Sequence, residues 1–308
     1  MTQLKTLLLC NNSIALPLLQ QLAFNQLLVA VAIPVRNKIL LQDVKMILQQ
    51  TNIAVVEVKK ETNEQQLLQL IQQKDINLGL MFTYSYKLTE KVFSLPQLGF
   101  YNIHPGHLPQ YRGSEPIFWQ IKNKEQNAGI CIHKVDKNYD SGPVVLSNTI
   151  AINNNDTYGL LCNKISMAVL PLAANLIQML AVTQTTPSIN QDESKAVYYK
   201  KPIVTDVFIN WAKMNAAQII ALVNACNPWN KGAYTKINGK IIRLLAAEPA
   251  NITESKQPGT IIAINKTSVI VAAADNSAVT IFVIYLDEGF FSAEKLAQFG
   301  VAAGHLFQ

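Results

Sequence analysis

The first hundred residues alternate short, continuous apolar runs with stretches of helical spacing, and that alternation leaves few folds open. Residues 4–10 and 27–33 are apolar runs of strand length, while Ile14 to Phe24 carries Leu and Ile at helical intervals. A strand without polar alternation has to be covered on both faces, which is the condition of a central strand in a parallel sheet. Strand, helix, strand therefore opens an α/β sheet with helices on both faces. The spacing continues with a helix over 43–50, a strand over 54–58, a helix over 63–73 and a strand over 78–82. A helix from about Glu90 precedes a strand over 100–104. Residues 129–135 read as one further strand, 158–180 as a long helix and 183–195 as a polar loop around Pro187.

The pattern changes near residues 200–210. A helix over 216–226 leads into Asn227-Pro228-Trp229, and β-like segments follow at 233–237, 241–246, 260–264, 268–273 and 279–284. Asn238-Gly239 between two of them is a strong two-residue hairpin signal. Short strands at close spacing suggest a small barrel. The expected architecture is a Rossmann-like, mostly parallel α/β domain over 1–200, followed by a small OB-like C-terminal β-barrel domain over 201–308. With 308 residues, 49% of them hydrophobic, the chain is long enough to bury two such cores.

Cys10, Cys131, Cys162 and Cys226 lack any C-x-x-C spacing, which argues against a zinc site or a disulfide framework and for reduced thiols in the cytoplasm. Lys5 followed by Thr6-Leu7-Leu8-Leu9-Cys10 is superficially like an export signal. Its apolar run is short and Asn11-Asn12-Ser13 follows at once, so a first strand is the better reading. No stretch approaches the roughly 20 apolar residues of a membrane span, and no membrane partner is expected. The net charge of +6 tolerates an anionic partner such as RNA, a nucleotide or a polyglutamated cofactor without requiring one.

Chemistry concentrates at Asn102-Ile103-His104-Pro105 and at Asp140-Ser141-Gly142-Pro143. Alternation along a strand points Asn102 and His104 to the same side. Pro105 and Gly106 end the strand, where ligands of open α/β sheets collect. An Asn can donate to a developing oxyanion, a His can move a proton near neutral pH, and a downstream Asp can orient that His. On residue types alone, a hydrogen-bonded structural histidine explains His104 equally well.

The run Asn102-x-His104-Pro105-x-x-Leu108-Pro109-x-Tyr111-Arg112-Gly113, then Pro116, Gly129 and Asp140-Ser141-Gly142-Pro143, resembles the 10-formyltetrahydrofolate-dependent formyltransferases. These include enzymes acting on glycinamide ribonucleotide, on Met-tRNA and on nucleotide-linked amino sugars. Tyr111-Arg112-Gly113 with Pro116 and Trp119 is most similar to the last two groups. Ile209-Asn210-Trp211, Asn227-Pro228-Trp229 and Gly232-Ala233-Tyr234 resemble the junction and C-terminal domain of methionyl-tRNA formyltransferase, so the resemblance covers most of the chain.

That resemblance implies a catalytic trio of Asn102, His104 and Asp140. The acceptor amine attacks the formyl carbon of 10-formyltetrahydrofolate, Asn102 and a protonated His104 stabilise the oxyanion, and Asp140 fixes His104 and helps a proton reach N10. No metal is implied. The folate slot falls on Met81, Phe82, Tyr84, Tyr86 and Leu88, with Val135, Asp136 and Tyr139 from the later turn; for Met81, Phe82 and Leu88 plain core packing is an equal account. Asn11, Ser13, Pro109, Arg112 and Gly113 fall on the acceptor side, with a structural salt bridge as the competing account of Arg112. Trp211 and Trp229 are expected to be packing anchors, and His107, His133 and His305 bystanders.

The chain also departs from the family pattern. Gly106 stands where Ser is frequent, His107 where Leu is, and Cys10-Asn11-Asn12-Ser13 replaces a Gly-Thr-Pro-like turn. After Ile33 the chain passes through Pro34-Val35-Arg36-Asn37-Lys38 into a helix, without the basic Gly-rich insertion of the tRNA enzymes. A tRNA grip then has to come from elsewhere, for which Lys231, Lys236, Lys240 and Arg243 are candidates and a solvated face is the alternative. The expected activity is formyl transfer to a primary amine, with Met-tRNA ahead of a nucleotide-linked amino sugar. A folate- or RNA-binding module without turnover is the reading from a different class.

Overall fold

The computed structural model describes residues 3–251 and 255–308. In chain order the elements are β1 (Thr6–Cys10), α1 (Leu16–Phe24), β2 (Leu28–Pro34), α2 (Lys38–Ile47), β3 (Ala54–Val58), α3 (Asn63–Gln73), β4 (Leu78–Phe82), α4 (Glu90–Phe93) and β5 (Phe100–His104). There follow β6 (Arg112–Gly113), α5 (Pro116–Lys122), β7 (Asn127–Lys134), β8 (Val144–Ala151), α6 (Tyr158–Thr183), β9 (Tyr198–Tyr199) and α7 (Ala216–Ala225). The last strands are β10 (Ala233–Ile237), β11 (Lys240–Ala250), β12 (Ile261–Ile264), β13 (Val269–Ala273), β14 (Ser277–Leu286) and β15 (Gly289–Ser292). The chain divides into two compact units. One comprises Met1–Gly113, Asn127–Ile150 and Cys162–Tyr199, and the other Ser114–Gln126, Ala151–Leu161 and Lys200–Gln308.

In the first unit seven strands lie in the order β3-β2-β1-β4-β5-β7-β8. β1 and β4 are buried along their whole length, as continuous apolar runs require. Parallel pairing runs from β3 to β5, and the sheet reverses direction at β7, which pairs antiparallel with β5. The expectation of a mostly parallel sheet holds, with an antiparallel edge that the apolar spacing did not predict. Because β1 has β2 on one side and β4 on the other, the connections leave the sheet in opposite directions at the carboxyl ends of β1 and β4. Such a switch point opens a crevice there, and β4 and β5 deliver the segments beginning at Thr83 and Pro105 to it.

Two elements correct the expectations. The helix expected over 43–50 runs over Lys38–Ile47, because the Asn37 side chain accepts the Leu40 amide hydrogen at 3.2 Å and caps a helix starting there. α6 extends to Thr183 and is long and apolar enough, by length and composition, to cross a membrane, contrary to the reading that no stretch comes near. Its buried residues Leu161, Ile165, Val169, Leu172, Leu176 and Leu180 recur at three- and four-residue intervals. That spacing is the stripe of a helix packed along one face of a protein core.

In the second unit β10-β11-β14-β13-β12 pair antiparallel, with β15 added against β14. Asn238 and Gly239, with φ of 48° and 77°, form the turn between β10 and β11, as the dipeptide predicts. The C-terminal segment bonds to both edges of this sheet. Gln308 exchanges backbone hydrogen bonds with Lys236 of β10, and the Ile261 amide of β12 donates to the His305 carbonyl at 2.8 Å. The sheet is thereby closed by a short non-strand segment. Trp211 anchors this unit's core, its indole N–H donating to Thr235 Oγ1 at 2.8 Å and its ring stacking on Phe307.

Candidate active site

Register brings the chemistry together. Asn102 pairs with Met81 of β4 on one side and with His133 of β7 on the other. Directly opposed residues on neighbouring strands project to the same face. His133, expected to be a bystander, therefore joins the trio, with its Nε2 3.1 Å from Asn102 Nδ2 and 3.5 Å from Asp140 Oδ1. The sequence signal for it was its place at the end of the strand that feeds the turn carrying Asp140.

Asp140 sits in the turn after β7 with φ of 53°, in the left-handed region that Asp tolerates better than most residues. Its Oδ1 lies 3.0 Å from Asn102 Nδ2 and 3.6 Å from His104 Nδ1, and its Oδ2 accepts the Gly113 amide hydrogen at 2.9 Å. The expected trio is thus one contiguous group with His133 as a fourth member.

Hydrogen-bond partners fix both tautomers. His104 Nε2 lies 2.6 Å from the Tyr111 carbonyl, which can only accept, so that nitrogen carries the hydrogen and Nδ1 faces Asp140 as a lone pair when the ring is neutral. His133 Nδ1 lies 2.8 Å from the Lys134 carbonyl, which leaves its Nε2 to accept from Asn102. Both amide hydrogens of Asn102 are then engaged at rest, one by His133 and one by Asp140.

Charge states follow from the surroundings. Burial pushes the His104 pKa down; the neighbouring carboxylate and the Tyr111 carbonyl oppose this, but burial prevails. Near neutral pH His104 is therefore neutral at rest, so the protonated form expected to face the oxyanion has to arise during the reaction. Burial pushes Asp140 up, but in the acid range where a carboxyl titrates the charge of protonated His104, with the His133 contact and the Gly113 amide, outweighs it and holds the carboxyl well below the usual range. The resting group is therefore an anionic Asp140 facing two imidazole nitrogens. A proton arriving at His104 Nδ1 would be held beside that carboxylate.

The residues expected to form the folate slot divide. Met81 and Leu88 belong to the apolar cluster beneath β1 and β4, and Tyr84, Tyr86 and Val135 pack against it as partly buried residues. Tyr84 and Tyr86 meet edge to face at 5.5 Å, and the Tyr84 hydroxyl donates to Asn63 Oδ1 at 2.6 Å. The Phe82 side chain is fully buried, the placement that plain core packing gives it. Asp136 accepts from Ser141 Oγ and from the Asn138 amide, so its carboxylate builds the turn, while Tyr139 is exposed with Lys87 Nζ 5.4 Å from its ring centre. A partly buried aromatic wall beside backbone edges is the kind of surface a flat heterocycle fits.

The residues expected on the acceptor side divide too. Asn11, beyond the end of β1, bonds to Ser85 Oγ and Thr83 Oγ1 beyond β4 and receives Asn37 Nδ2, and Ser13 is exposed at the head of the turn leading to α1. Pro109 is buried. Arg112 is fully buried, with its guanidinium paired to both Glu193 oxygens at 2.9 and 2.6 Å, to Tyr198 Oη and to Gln191 Oε1. It supports the loop rather than facing an acceptor. Gly113 has φ of 96°, and a Cβ there would stand 2.2 Å from the Tyr199 carbonyl.

Gly142 is more confined still, since a Cβ would lie 1.8 Å from the Lys134 carbonyl oxygen. Gly142→Ala is expected to cost about 1–3 kcal/mol of stability through the forced backbone shift. Because that shift moves the Asp140 turn, thermal melts and turnover should fall together.

Residues 12–169 match the formyl transferase family, and residues 203–289 match its C-terminal domain. The chain belongs to the formyl transferase family. A methionyl-tRNA formyltransferase of Staphylococcus aureus (strain MW2) is 31% identical over 77% of this chain and 75% of its own length. Among solved structures, HypX from Aquifex aeolicus in complex with tetrahydrofolic acid superposes with a TM-score of 0.69 at 17% identity, over 96% of this chain and 47% of HypX, so this chain spans about half of that protein. An N-formyltransferase from Helicobacter canadensis, solved with folinic acid and dTDP-3-aminofucose, gives a TM-score of 0.66 at 15% identity over 92% of this chain and 99% of its own. At these identities the structures share the fold. The activity is formyl transfer from a formyl-folate donor.

Proposed function

We propose that the enzyme transfers the formyl group of 10-formyltetrahydrofolate to the amino group of Met-tRNA in the cytoplasm. The observation that carries the acceptor is the similarity of both halves of the chain to the formyl transferase family, with curated relatives of that activity at 31% identity. In this reading Met81, Tyr84, Tyr86, Leu88 and Val135 line the folate, and neutral His104 takes the proton from the attacking amine at Nδ1. Asp140 then pairs with the imidazolium, which loosens its hold on Asn102 and frees an amide hydrogen for the oxyanion. The proton passes on to N10 as the carbon–nitrogen bond breaks.

A basic, aromatic face on the second unit suits an RNA. The Arg243 guanidinium lies between the rings of Tyr234 and Tyr285, at 4.6 and 5.2 Å, and Lys231 Nζ lies 4.7 Å from the Tyr285 ring centre. Replacing Arg243 and Lys231 by Ala is expected to raise KM for tRNA while leaving KM for the folate unchanged. It should also flatten the salt dependence by roughly 0.7–0.9 in log–log slope for each phosphate no longer neutralised.

An amino-sugar nucleotide is the second reading, favoured by the short passage from β2 to α2, which holds only Val35, Arg36 and Asn37. Mass-resolved formylation of Met-tRNA against a panel of amino-sugar nucleotides decides between them. Formylated sugar with untouched Met-tRNA would overturn the tRNA assignment.

A further inference from the structure

Residues 189–199 form a strap across the loops that hold the site. Ile189 exchanges backbone hydrogen bonds with Val144, the Val197 carbonyl accepts from the Arg112 amide at 3.0 Å, and β9 pairs with β6. The strap is mostly exposed, with Ile189 at 77% and the Glu193 side chain at 68%. Gln191 turns inward. Its Nε2 donates to the carbonyls of Asp140 at 2.9 Å and Gly142 at 2.7 Å, and its Oε1 accepts from Arg112 Nε at 3.0 Å.

We propose that Gln191, oriented by Arg112, is a positioning residue that holds the Asp140 turn and so sets the carboxylate's placement against His104. The inference rests on the formyl-transfer reading of the trio. An amide with both hydrogens and its oxygen engaged has one orientation. That orientation is itself fixed, because Arg112 is fully buried and tied to Glu193 and Tyr198. The turn gains from such a hold: Asp140 is left-handed, a conformation that Asp tolerates but that does not by itself fix where its carboxylate points. The same strand β6 that carries Arg112 also supplies the Gly113 amide to Asp140 Oδ2. His104 is referenced to the strap as well, since its Nε2 partner is the Tyr111 carbonyl and the Tyr111 ring stacks on Tyr199 at 5.1 Å. Both members of the His104–Asp140 pair thus take their positions from the segment that Gln191 anchors.

Gln191→Ala and Gln191→Glu separate this role from mere support. The Glu variant keeps an acceptor for Arg112 and loses both donations to the turn. Both variants are expected to lower kcat about 10–100-fold, the scale of a displaced catalytic group, with KM for the folate unchanged. The acid limb of the pH–rate profile should move to lower pH, because a displaced Asp140 supports a proton on His104 less. The groups that face His104 are Asp140, His133 of β7 and the Tyr111 carbonyl, and only the first is displaced directly.

Wild-type kcat and pH profile in both variants would overturn the proposal. Should they fail to fold, Glu193→Ala loosens Arg112 one step back, and a smaller loss of kcat in the same sense is expected; no change overturns it. Wild-type protein without formyl transfer to any amine would refute the functional reading instead. NMR titration of His104 then tests the positioning role directly, with a lower midpoint expected in Gln191→Ala and an unmoved one counting against it.

Discussion

His104→Ala is expected to lower kcat by about 10²–10⁴-fold, the usual contribution of a positioned proton-transfer group, with KM for the folate little changed. His104 Nδ1 is 3.6 Å from Asp140, and burial keeps the ring neutral at rest, so it is available to take the amine's proton. His104→Gln is the cleaner variant. Its side-chain amide can still donate to the Tyr111 carbonyl, so the loop stays satisfied while the proton acceptor is gone. Steady-state kinetics on both variants check the loss; turnover within a few-fold of wild type would remove His104 from the mechanism.

The same variants carry a stability signature. The His104 pKa is lowered in the folded protein, so unfolding takes up a proton below the ordinary histidine pKa of about 6.5. The stabilisation is complete above that pH and is lost as pH falls through it, by at most about 1.4 kcal/mol per pH unit from this residue. His104→Gln abolishes this slope. Urea melts between pH 7 and 5 should show a shallower decline for the variant than for the wild type.

The elements legible in the sequence were those whose burial is decided locally. β3, α3, β4 and β5 lie over the residues that apolar spacing predicts, because a strand buried on both faces and a helix with one apolar stripe each carry their own signature. The parts missed depend on partners far along the chain. His133 gained its role from the antiparallel register of β5 and β7, which no local pattern encodes. Arg112 reads as substrate-facing or structural until Glu193 and Gln191, some eighty residues later, are brought to its guanidinium. The strap reads as a polar loop because the hydrogen bonds that fasten it, from Gln191 to the Asp140 turn and between Arg112 and Val197, are non-local. The chemistry was legible as a set of residue types; the resting proton arrangement was not, since it follows from burial and from two carbonyl partners.

Asp140→Asn is expected to abolish most turnover, by a factor of about 10²–10⁴ on the scale of a lost proton-transfer partner, while the protein still folds. Asn tolerates the left-handed backbone at this position as Asp does, so the turn is kept. The side chain cannot replace the carboxylate, because Oδ1 faces the Asn102 amide and Oδ2 accepts from the Gly113 amide. Asn offers one acceptor where two donors require two. With its nitrogen at the Oδ1 position it would donate to His104 Nδ1, occupying the lone pair that takes the proton. The missing charge also removes what supports a proton on His104, so residual activity should show an acid limb at lower pH than the wild type.

Stability should separate Asp140→Asn from His104→Gln. The Asp140 carboxyl is held below its ordinary value, so its contribution is present above a pH of about 3.9 and is lost as pH falls below it. Asp140→Asn therefore flattens acid unfolding below about pH 4, whereas His104→Gln flattens it from about 6.5 downward. Two separate pH windows would show that the residues titrate as an anion and a neutral base at rest. A single shared window would mean that a proton already sits between them, and Asn102 would then be free for the oxyanion before the amine arrives.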